Sequence, residues 1–259
     1  MIRRLIHAAA LALVAVPALA AEPVLTVEGS DFVLTTPDGR LTSADMAGVE
    51  LDLELEGTPL TLRIASATPA EGQPHVLLLD LQVRGADGKW APLCDADAYG
   101  RRLGFPVAGR WAPDGSYIRD PNSWFLTCTS GSQGKCILWG YDPWRQDKAG
   151  RPLDRHYQAC QQMVRADYDG RGEPHTRDGT TIDMQDDIGL QKWDSVGDPE
   201  FGFEAGWGPD GAVCVARTRW PDLLKAEDLW KANPRLAGDC TPETARAKGA
   251  LLFTRVKIK

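Results

Sequence analysis

The sequence has few basic residues relative to acidic ones. Its 29 lysines and arginines stand against 36 aspartates and glutamates, which gives a formal net charge of −7. Nucleic-acid binding depends on clustered cations that contact phosphates, so this composition argues against a nucleic-acid partner. No segment after residue 20 is apolar over the ~20 residues that a membrane-spanning helix needs. We therefore expect no nucleic-acid partner, and no membrane-spanning helix in the chain after residue 20.

Motifs for common metal, phosphate and acyl-transfer sites are also missing. The chain has four histidines and no Cys-x-x-Cys pair, so the ligand spacing of structural zinc sites is absent. No Gly-x-Ser-x-Gly nucleophile motif occurs. The glycine-rich stretch at 128–136 is not followed by Lys-Ser or Lys-Thr, which excludes a P-loop. We therefore predict no metal and no cofactor, and no standard motif identifies a reaction.

The first twenty residues have the pattern of an export signal. Arg3 and Arg4 precede an apolar run, and Ala18-Leu19-Ala20 supplies the small residues of a cleavage site. The apolar run contains Pro17 and is too short for a comfortable membrane span. We predict that residues 1–20 are a signal peptide and that the mature chain is periplasmic or secreted.

Six cysteines follow this leader, and an even number in an exported protein favours disulfide bonds. Six cysteines allow fifteen complete pairings, among which sequence alone does not choose. Cys136 has two candidate partners, Cys128 across a short loop or Cys160 on the following helix. The pair favoured first is Cys214 with Cys240, on a predicted hairpin strand and after the last predicted helix. The candidates are Cys94, Cys128, Cys136, Cys160, Cys214 and Cys240.

Aromatic residues divide the mature chain. All nine tryptophans and all five tyrosines lie between Trp90 and Trp230, and only Phe32 precedes them. We therefore predict an N-terminal segment at 21–89 and a second domain at 90–259. The first segment alternates apolar and polar residues, as in Leu51-Asp52-Leu53-Glu54, which is typical of strands. It predicts a small antiparallel sheet.

The second region mixes strands and helices. Turn-forming sequences predict hairpins around 113–115 and 208–211. Apolar spacing predicts an amphipathic helix over 153–168, and a short helix lies between the two prolines of 221–234. The predicted fold class is α+β and β-rich: an N-terminal antiparallel β-sheet segment, then a disulfide-stabilised mixed domain with two short helices and a C-terminal hairpin. The tail at 250–259 is expected to form a last strand.

Three blocks of this second region resemble the ADYC domain, a bacterial domain of exported proteins and lipoproteins. They are "WFLTCTSGSQGKCILWGYDPW" at 124–144, "HYQACQQMVRADYDGRGEPHTRDGTTIDMQDDIG" at 156–189 and "FEAGWGPDGAVCVARTRW" at 203–220. The namesake motif ends in cysteine, whereas this chain has Ala166-Asp167-Tyr168-Asp169. The family has no assigned activity to carry over, so the resemblance identifies a domain without identifying a reaction.

The carboxylate-rich stretch at 165–183 has three interpretations. A twelve-residue calcium loop would run from Asp167 to Asp178 with Gly172 at its sharp turn, although Arg171 stands where an oxygen ligand belongs. A catalytic site would combine His156, His175, Asp167 and Asp178, with Asp183 nearby, because a histidine beside a carboxylate can titrate near neutral pH. A hydrated structural turn is the favoured interpretation, since Asp and Gly are natural turn residues.

Tryptophans suggest a further hypothesis, a stacking surface for sugars, although Trp is mostly buried in proteins. The function predicted from the sequence is an exported, non-catalytic cell-envelope or extracellular module, with a glycan or an envelope protein as partner. The alternative is a hydrolase with a His/Asp site around His156, His175 and Asp167. The platform candidates are Trp124, Trp139, Trp144, Trp207 and Trp220.

Overall fold

The computed structural model describes residues 23–55 and 57–258. The predicted signal peptide at 1–20 lies outside these residues. The described chain begins with a three-stranded antiparallel sheet in the order β1-β2-β3, in which Val27 pairs with Phe32 across the first hairpin. Its strands are β1 (Val24–Glu28), β2 (Asp31–Thr36) and β3 (Gly39–Thr42).

A six-stranded antiparallel sheet follows, and it crosses the boundary expected at residues 89 and 90. The short strand β7 at 90–92 pairs with β6, and Leu79 of β6 pairs with Gly104 of β8. The order is β11-β8-β6-β5-β4, with β7 beside β6. A division into two folding units at this point stays a prediction. The strands are β4 (Glu50–Leu55), β5 (Thr58–Ala70), β6 (Gln73–Arg84), β7 (Trp90–Pro92), β8 (Gly104–Ala108) and β11 (Trp124–Cys128), with the hairpin β9 (Arg110–Trp111) and β10 (Tyr117–Ile118) inserted before the last.

The C-terminal half is built on a four-stranded antiparallel sheet in the order β12-β15-β13-β14. The hairpin predicted around 208–211 is formed by β13 and β14, where Gly208 pairs with Gly211. The predicted tail strand is β15, which lies between β12 and β13. The strands are β12 (Ile182–Asp186), β13 (Phe201–Gly208), β14 (Gly211–Val215) and β15 (Leu252–Lys257).

Four α-helices lie in the part of the chain that the structure describes, two more than the sequence predicts. The helix expected over 153–168 is α2, which buries Tyr157, Cys160 and Met163 on one face. The helix expected within 221–234 is α3. The two additional helices have only seven and six residues, too few for a clear period. The bounds are α1 (Ser132–Leu138), α2 (Asp154–Arg165), α3 (Ala226–Ala232) and α4 (Pro242–Ala247), with a 3₁₀ turn at Pro234–Leu236.

Three disulfides join these elements, and all six cysteines take part. Cys214 pairs with Cys240, which confirms the pair favoured from the sequence. Cys136 pairs with Cys160, which links α1 to α2 and decides between the two alternatives for Cys136. Cys94 pairs with Cys128, so the short loop at 128–136 is not closed by its own cysteines.

Two main hydrophobic clusters form the core, and the larger one takes residues from both the six-stranded and the C-terminal sheet. One is centred on Phe32, Leu62 and Leu79, between the N-terminal hairpins and the six-stranded sheet. The other contains Tyr157 and Trp207, where α2 packs against the C-terminal sheet. No helix of the described residues is long and apolar enough to span a lipid bilayer.

Candidate functional site

The segment Ala166-Asp167-Tyr168-Asp169 begins where α2 ends. Ala166 adopts a left-handed conformation with φ of 50° and ψ of 43°. Its N–H bonds to the carbonyl of Met163, and the N–H of Asp167 bonds to the carbonyl of Gln162. These two bonds form a Schellman motif, which satisfies carbonyls at a helix end and reverses the chain. The reversal brings the next side chain, Asp167, back beside the helix.

Asp167 is a buried carboxylate with one oxygen unsatisfied. Only 1% of the surface of Asp167 is exposed to solvent. Oδ2 accepts a hydrogen bond from the N–H of Gly172 at 2.7 Å. Oδ1 is buried and has no hydrogen-bond partner among the described residues. Burial raises the pKa of Asp167, the Gly172 N–H opposes this effect, and the nearby Asp169 carboxylate raises the pKa further.

A cleft of about 290 Å³ opens in front of Asp167; we call it the Asp167 cleft. Its walls come from the 113–115 turn, from Gln161 and Gln162 on α2, and from the loop at 170–172. Both glutamine amides are held in place, because Gln161 Nε2 donates to the carbonyl of Ser132 and Gln162 Nε2 donates to that of Pro209. The volume is near the lower end of the range for small-ligand sites.

Trp111 adds a second unsatisfied group to the same cleft. Its side chain lines the wall, and its indole Nε1 is buried without a hydrogen-bond partner in the described part of the chain. The ring is fixed from behind by Tyr117 and Tyr157, whose centroids lie 5.7 and 5.8 Å away. Two residues that line the Asp167 cleft thus each carry a buried polar atom without a partner among the described residues, an acceptor on Asp167 and a donor on Trp111.

Tyr168 anchors the motif in the core. Its hydroxyl donates to Glu204 Oε1 at 2.7 Å and accepts from the N–H of Arg219 at the same distance. Its ring stacks on Trp207 with centroids 5.2 Å apart. Burial raises the pKa of Tyr168 well above its ordinary value, so the hydroxyl stays protonated. Consecutive residues of the motif thus have different roles: Tyr168 anchors the loop in the core and Asp167 lines the cleft.

Asp169 stands at the position of the family's cysteine. It is half-buried, and its carboxylate lies 3.5 Å from Arg171 Nε. Because all six cysteines of the chain pair with one another, the change to Asp leaves no thiol without a partner. A carboxylate at this half-buried position is compatible with the fold because a neighbouring arginine compensates its charge.

His156, one of the predicted catalytic residues, lies in a buried setting of its own. Its Nε2 is 2.6 Å from Asp187 Oδ1, and its ring stacks on Tyr141 at 6.1 Å. Its Nδ1 is buried and has no partner among the described residues. The sequence did not indicate Asp187, because a separation of 31 residues carries no local pattern.

The other predicted catalytic residues have different surroundings. The Nδ1 of His175 is 3.3 Å from the carbonyl oxygen of Ala166, and its ring packs against Tyr168 at 6.2 Å. Asp178 is exposed and lines another cavity. No hydrogen bond or ring contact within residues 23–55 and 57–258 joins these groups to His156. Their assignment to catalysis stays a prediction.

The calcium interpretation finds no ligand cluster in the described residues. Asp169 faces Arg171, and the second oxygen of Asp167 accepts from a backbone N–H. Asp183 accepts from the N–H groups of Asp194 and Ser195. No group of three or more His, Cys, Asp or Glu side chains in this part of the chain is arranged to hold a metal ion.

A tryptophan stacking surface was one hypothesis from the sequence, and it stays a hypothesis. Trp207 is fully buried, and its indole N–H donates to Thr254 at 2.8 Å. The remaining eight are half-buried. Trp124, for example, meets Phe32 edge to face at 5.5 Å. Trp207 is therefore a core residue, whereas four partly exposed tryptophans border cavities: Trp111, Trp139, Trp144 and Trp220.

Comparison with known proteins gives one match. The family model described as the ADYC domain matches residues 43–221. The matched range includes strands β4–β6, which the sequence analysis assigned to the segment ahead of the ADYC-like domain. No curated protein and no solved structure matches the chain.

Proposed function

Since the chain belongs to the ADYC domain family, we propose that it is an exported, non-catalytic binding module whose Asp167 cleft holds a hydroxyl-bearing ligand, a glycan. The cleft is formed around the second residue of the motif that the family is named for. This position connects the family's most distinctive sequence with a ligand-sized cavity.

The unsatisfied Oδ1 of Asp167 carries the proposal. A buried polar atom without a hydrogen bond costs about 1–3 kcal/mol, so such atoms generally have a partner, which can be a ligand. Oδ1 of Asp167 accepts and Nε1 of Trp111 donates. A sugar hydroxyl does both, because it has one donor hydrogen and two acceptor lone pairs. A glycan, which carries several such hydroxyls, therefore has the chemistry to satisfy both atoms.

Export is the second part of the proposal. It is supported by the leader-like pattern of residues 1–20 and by the three disulfides, since such bonds persist in oxidising compartments. The periplasm or the extracellular medium is the proposed location, and the surrounding envelope is a natural source of glycans.

Calorimetric titration of the mature protein with chito-, cello- and galacturonic acid oligosaccharides tests the binding proposal. We expect micromolar to millimolar binding of at least one of them. Asp167→Asn should weaken it about tenfold or more, because the substitution replaces a charged acceptor. Asp210→Asn, at an exposed turn outside the cleft, removes the same charge and should bind like the wild type. Absence of binding to all three series, or wild-type affinity of Asp167→Asn, would refute the proposal.

The hydrolase alternative has one favourable observation, the 2.6 Å contact between His156 Nε2 and Asp187. Incubation of each bound oligosaccharide with the protein, followed by chromatography of the products, distinguishes binding from turnover. Intact oligosaccharide after prolonged incubation supports the binding module. Cleavage that is lost in His156→Gln would make hydrolysis the function instead.

A further inference from the structure

The Asp167 cleft adjoins further cavities. A second cavity of about 510 Å³ shares Ser132 and Arg165 with the cleft. A third, of about 640 Å³, shares Ala98, Lys135 and Trp139 with the second. We call the second the central cavity, the third the Asp97 cavity, and all three together the groove. Because neighbouring cavities share wall residues, the three lie side by side, and we infer that together they can hold a chain of several units.

The central cavity has a positive lining in an otherwise acidic protein. Lys135, Arg165 and Arg177 contribute three cations, against the one carboxylate of Asp178. The whole chain has a formal charge of −7. A cationic region of this kind on an acidic surface attracts a negatively charged ligand to one place.

Lys135 is the cation available to such a ligand. Arg177 forms an ion pair with Asp222, and Arg165 donates to the carbonyl of Gly172. The ammonium of Lys135 has no hydrogen bond or ion pair among the described residues, although its side chain is half-buried. Lysine side chains usually extend into water, so a half-buried lysine at a junction of two cavities is suited to contact an occupant.

Trp139 lies beside Lys135 at the same junction. The two residues are four positions apart at the end of α1, and both line the central and the Asp97 cavities. Trp139 is half-buried, and its backbone carbonyl is fixed by a 2.8 Å hydrogen bond from Gln191 Nε2. A partly exposed indole beside a cation offers an apolar face for a ring and a charge for its substituent.

We propose that the groove binds an acidic oligosaccharide, with a carboxylate of one unit on Lys135 and the hydroxyls of another in the Asp167 cleft. This inference rests on the proposed function and specifies its ligand class. Hydroxyls of Ser130 and Thr181 along the central cavity suit a polyhydroxylated chain. Each unit of an acidic oligosaccharide carries hydroxyls as well as its carboxylate, so it can place hydroxyls against the Asp167 carboxylate, whereas a polyglutamate side chain can place only another carboxylate there.

Titration of the mature protein with galacturonic acid oligomers of two to six units tests the inference. Neutral cello-oligosaccharides of equal length and hexaglutamate serve as comparison probes. Affinity for the acidic sugars should rise with length and fall with added salt. Lys135→Met should weaken their binding about tenfold or more, while leaving neutral sugars unchanged. Lys148→Met, at an exposed turn outside the groove, removes the same charge and should have no effect.

The outcomes separate this inference from the proposed function. Equal affinity for neutral and acidic sugars, with no effect of Lys135→Met, overturns the acidic ligand and leaves the Asp167 cleft as the binding site. Tighter binding of hexaglutamate than of the sugars overturns the oligosaccharide in favour of a peptide. Loss of binding in Lys135→Met supports the inference only if circular dichroism shows the variant folded, and Lys135→Arg should then restore affinity for the acidic series.

Discussion

Arg219 and Glu204 form a two-point ion pair in the interior of the C-terminal half. Arg219 Nε lies 3.0 Å from Glu204 Oε1, and its second terminal nitrogen lies 3.1 Å from Oε2. Both side chains are completely buried. The same guanidinium donates to the carbonyls of Met163 and Val164 on α2. The pair therefore ties strand β13 to the helix end from which the Asp167 cleft begins.

Breaking this ion pair from either side should be costly. Arg219→Met leaves the Glu204 carboxylate buried without its cation, so we expect the free energy of unfolding to fall by about 3–5 kcal/mol. Arg177→Met, which removes an arginine from a surface pair with Asp222, should cost under about 1 kcal/mol. Urea denaturation of both variants measures the difference. A similar small loss for both would show that the buried pair adds little.

The glycines of the 170–172 loop should differ in their tolerance of a side chain. Both have positive φ, 74° at Gly170 and 89° at Gly172. A Cβ on Gly170 would overlap the carbonyl of Asp210, at 2.7 Å from its carbon, whereas one on Gly172 would meet nothing within 4 Å. Gly170→Ala should therefore cost about 1–3 kcal/mol more than Gly172→Ala. Thermal melting of the two variants compares them, and equal costs would contradict the close approach of the two loops.

The three disulfides should open in an order set by burial. Cys136 and Cys160 are fully buried, whereas Cys128 is only half-buried in its bond to Cys94. Thiol–disulfide exchange requires access of the attacking thiolate, so limited reduction should open the bond between Cys94 and Cys128 first. Alkylation of the released thiols followed by peptide mass spectrometry identifies them. Earlier release of Cys136 and Cys160 would contradict the order.

Removal of the Asp167 charge should stabilise the fold in a pH-dependent way. Burial raises the pKa of Asp167 in the folded state above its value in the unfolded chain. The free energy of unfolding therefore falls as the pH rises from the unfolded pKa through the folded one. The melting temperature of Asp167→Asn, relative to the wild type, should therefore increase from pH 3 to pH 7. Scanning calorimetry at pH 3 and at pH 7 measures this difference in melting temperature. If the difference in melting temperature between Asp167→Asn and the wild type decreases instead, the effect of hydrogen bonds to the carboxylate on its pKa would exceed the effect of its burial.

A second carboxylate should have the opposite dependence. Burial alone would raise the pKa of Asp97, but the N–H groups of Arg101 and Tyr99, with side-chain donors from Arg101 and Thr129, lower it below the ordinary value. Its contribution to stability is present above the unfolded pKa and is lost as the pH falls through the folded one. Asp97→Asn should therefore lower the melting temperature at pH 7 and have less effect at pH 3. An equal decrease in melting temperature at pH 3 and at pH 7 would show that the charge of Asp97 does not contribute to stability.

Local pattern was sufficient for most strands and for the longest helix. Alternating residues at 50–55 and turn sequences at 208–211 predicted β4 and the hairpin of β13 and β14, because strand period and turn chemistry are short-range properties. Helix α1 was missed because its seven residues include Gly134 and lack a clear period. Helix α4 carried a signal that could have been used: Thr241 and Thr244 form a capping box, with Pro242 at the first position.

The sequence by itself determined composition, leader pattern, family resemblance and most secondary structure, since these depend on neighbours along the chain. Only the tertiary structure decided which cysteine pairs with Cys136, that His156 faces Asp187, and that Asp167 and Trp111 line the same cleft. Those relationships join residues separated by 24 or more positions or depend on how a helix end is packed. They arise when hydrophobic burial brings distant elements together, and that packing leaves no local period in the sequence.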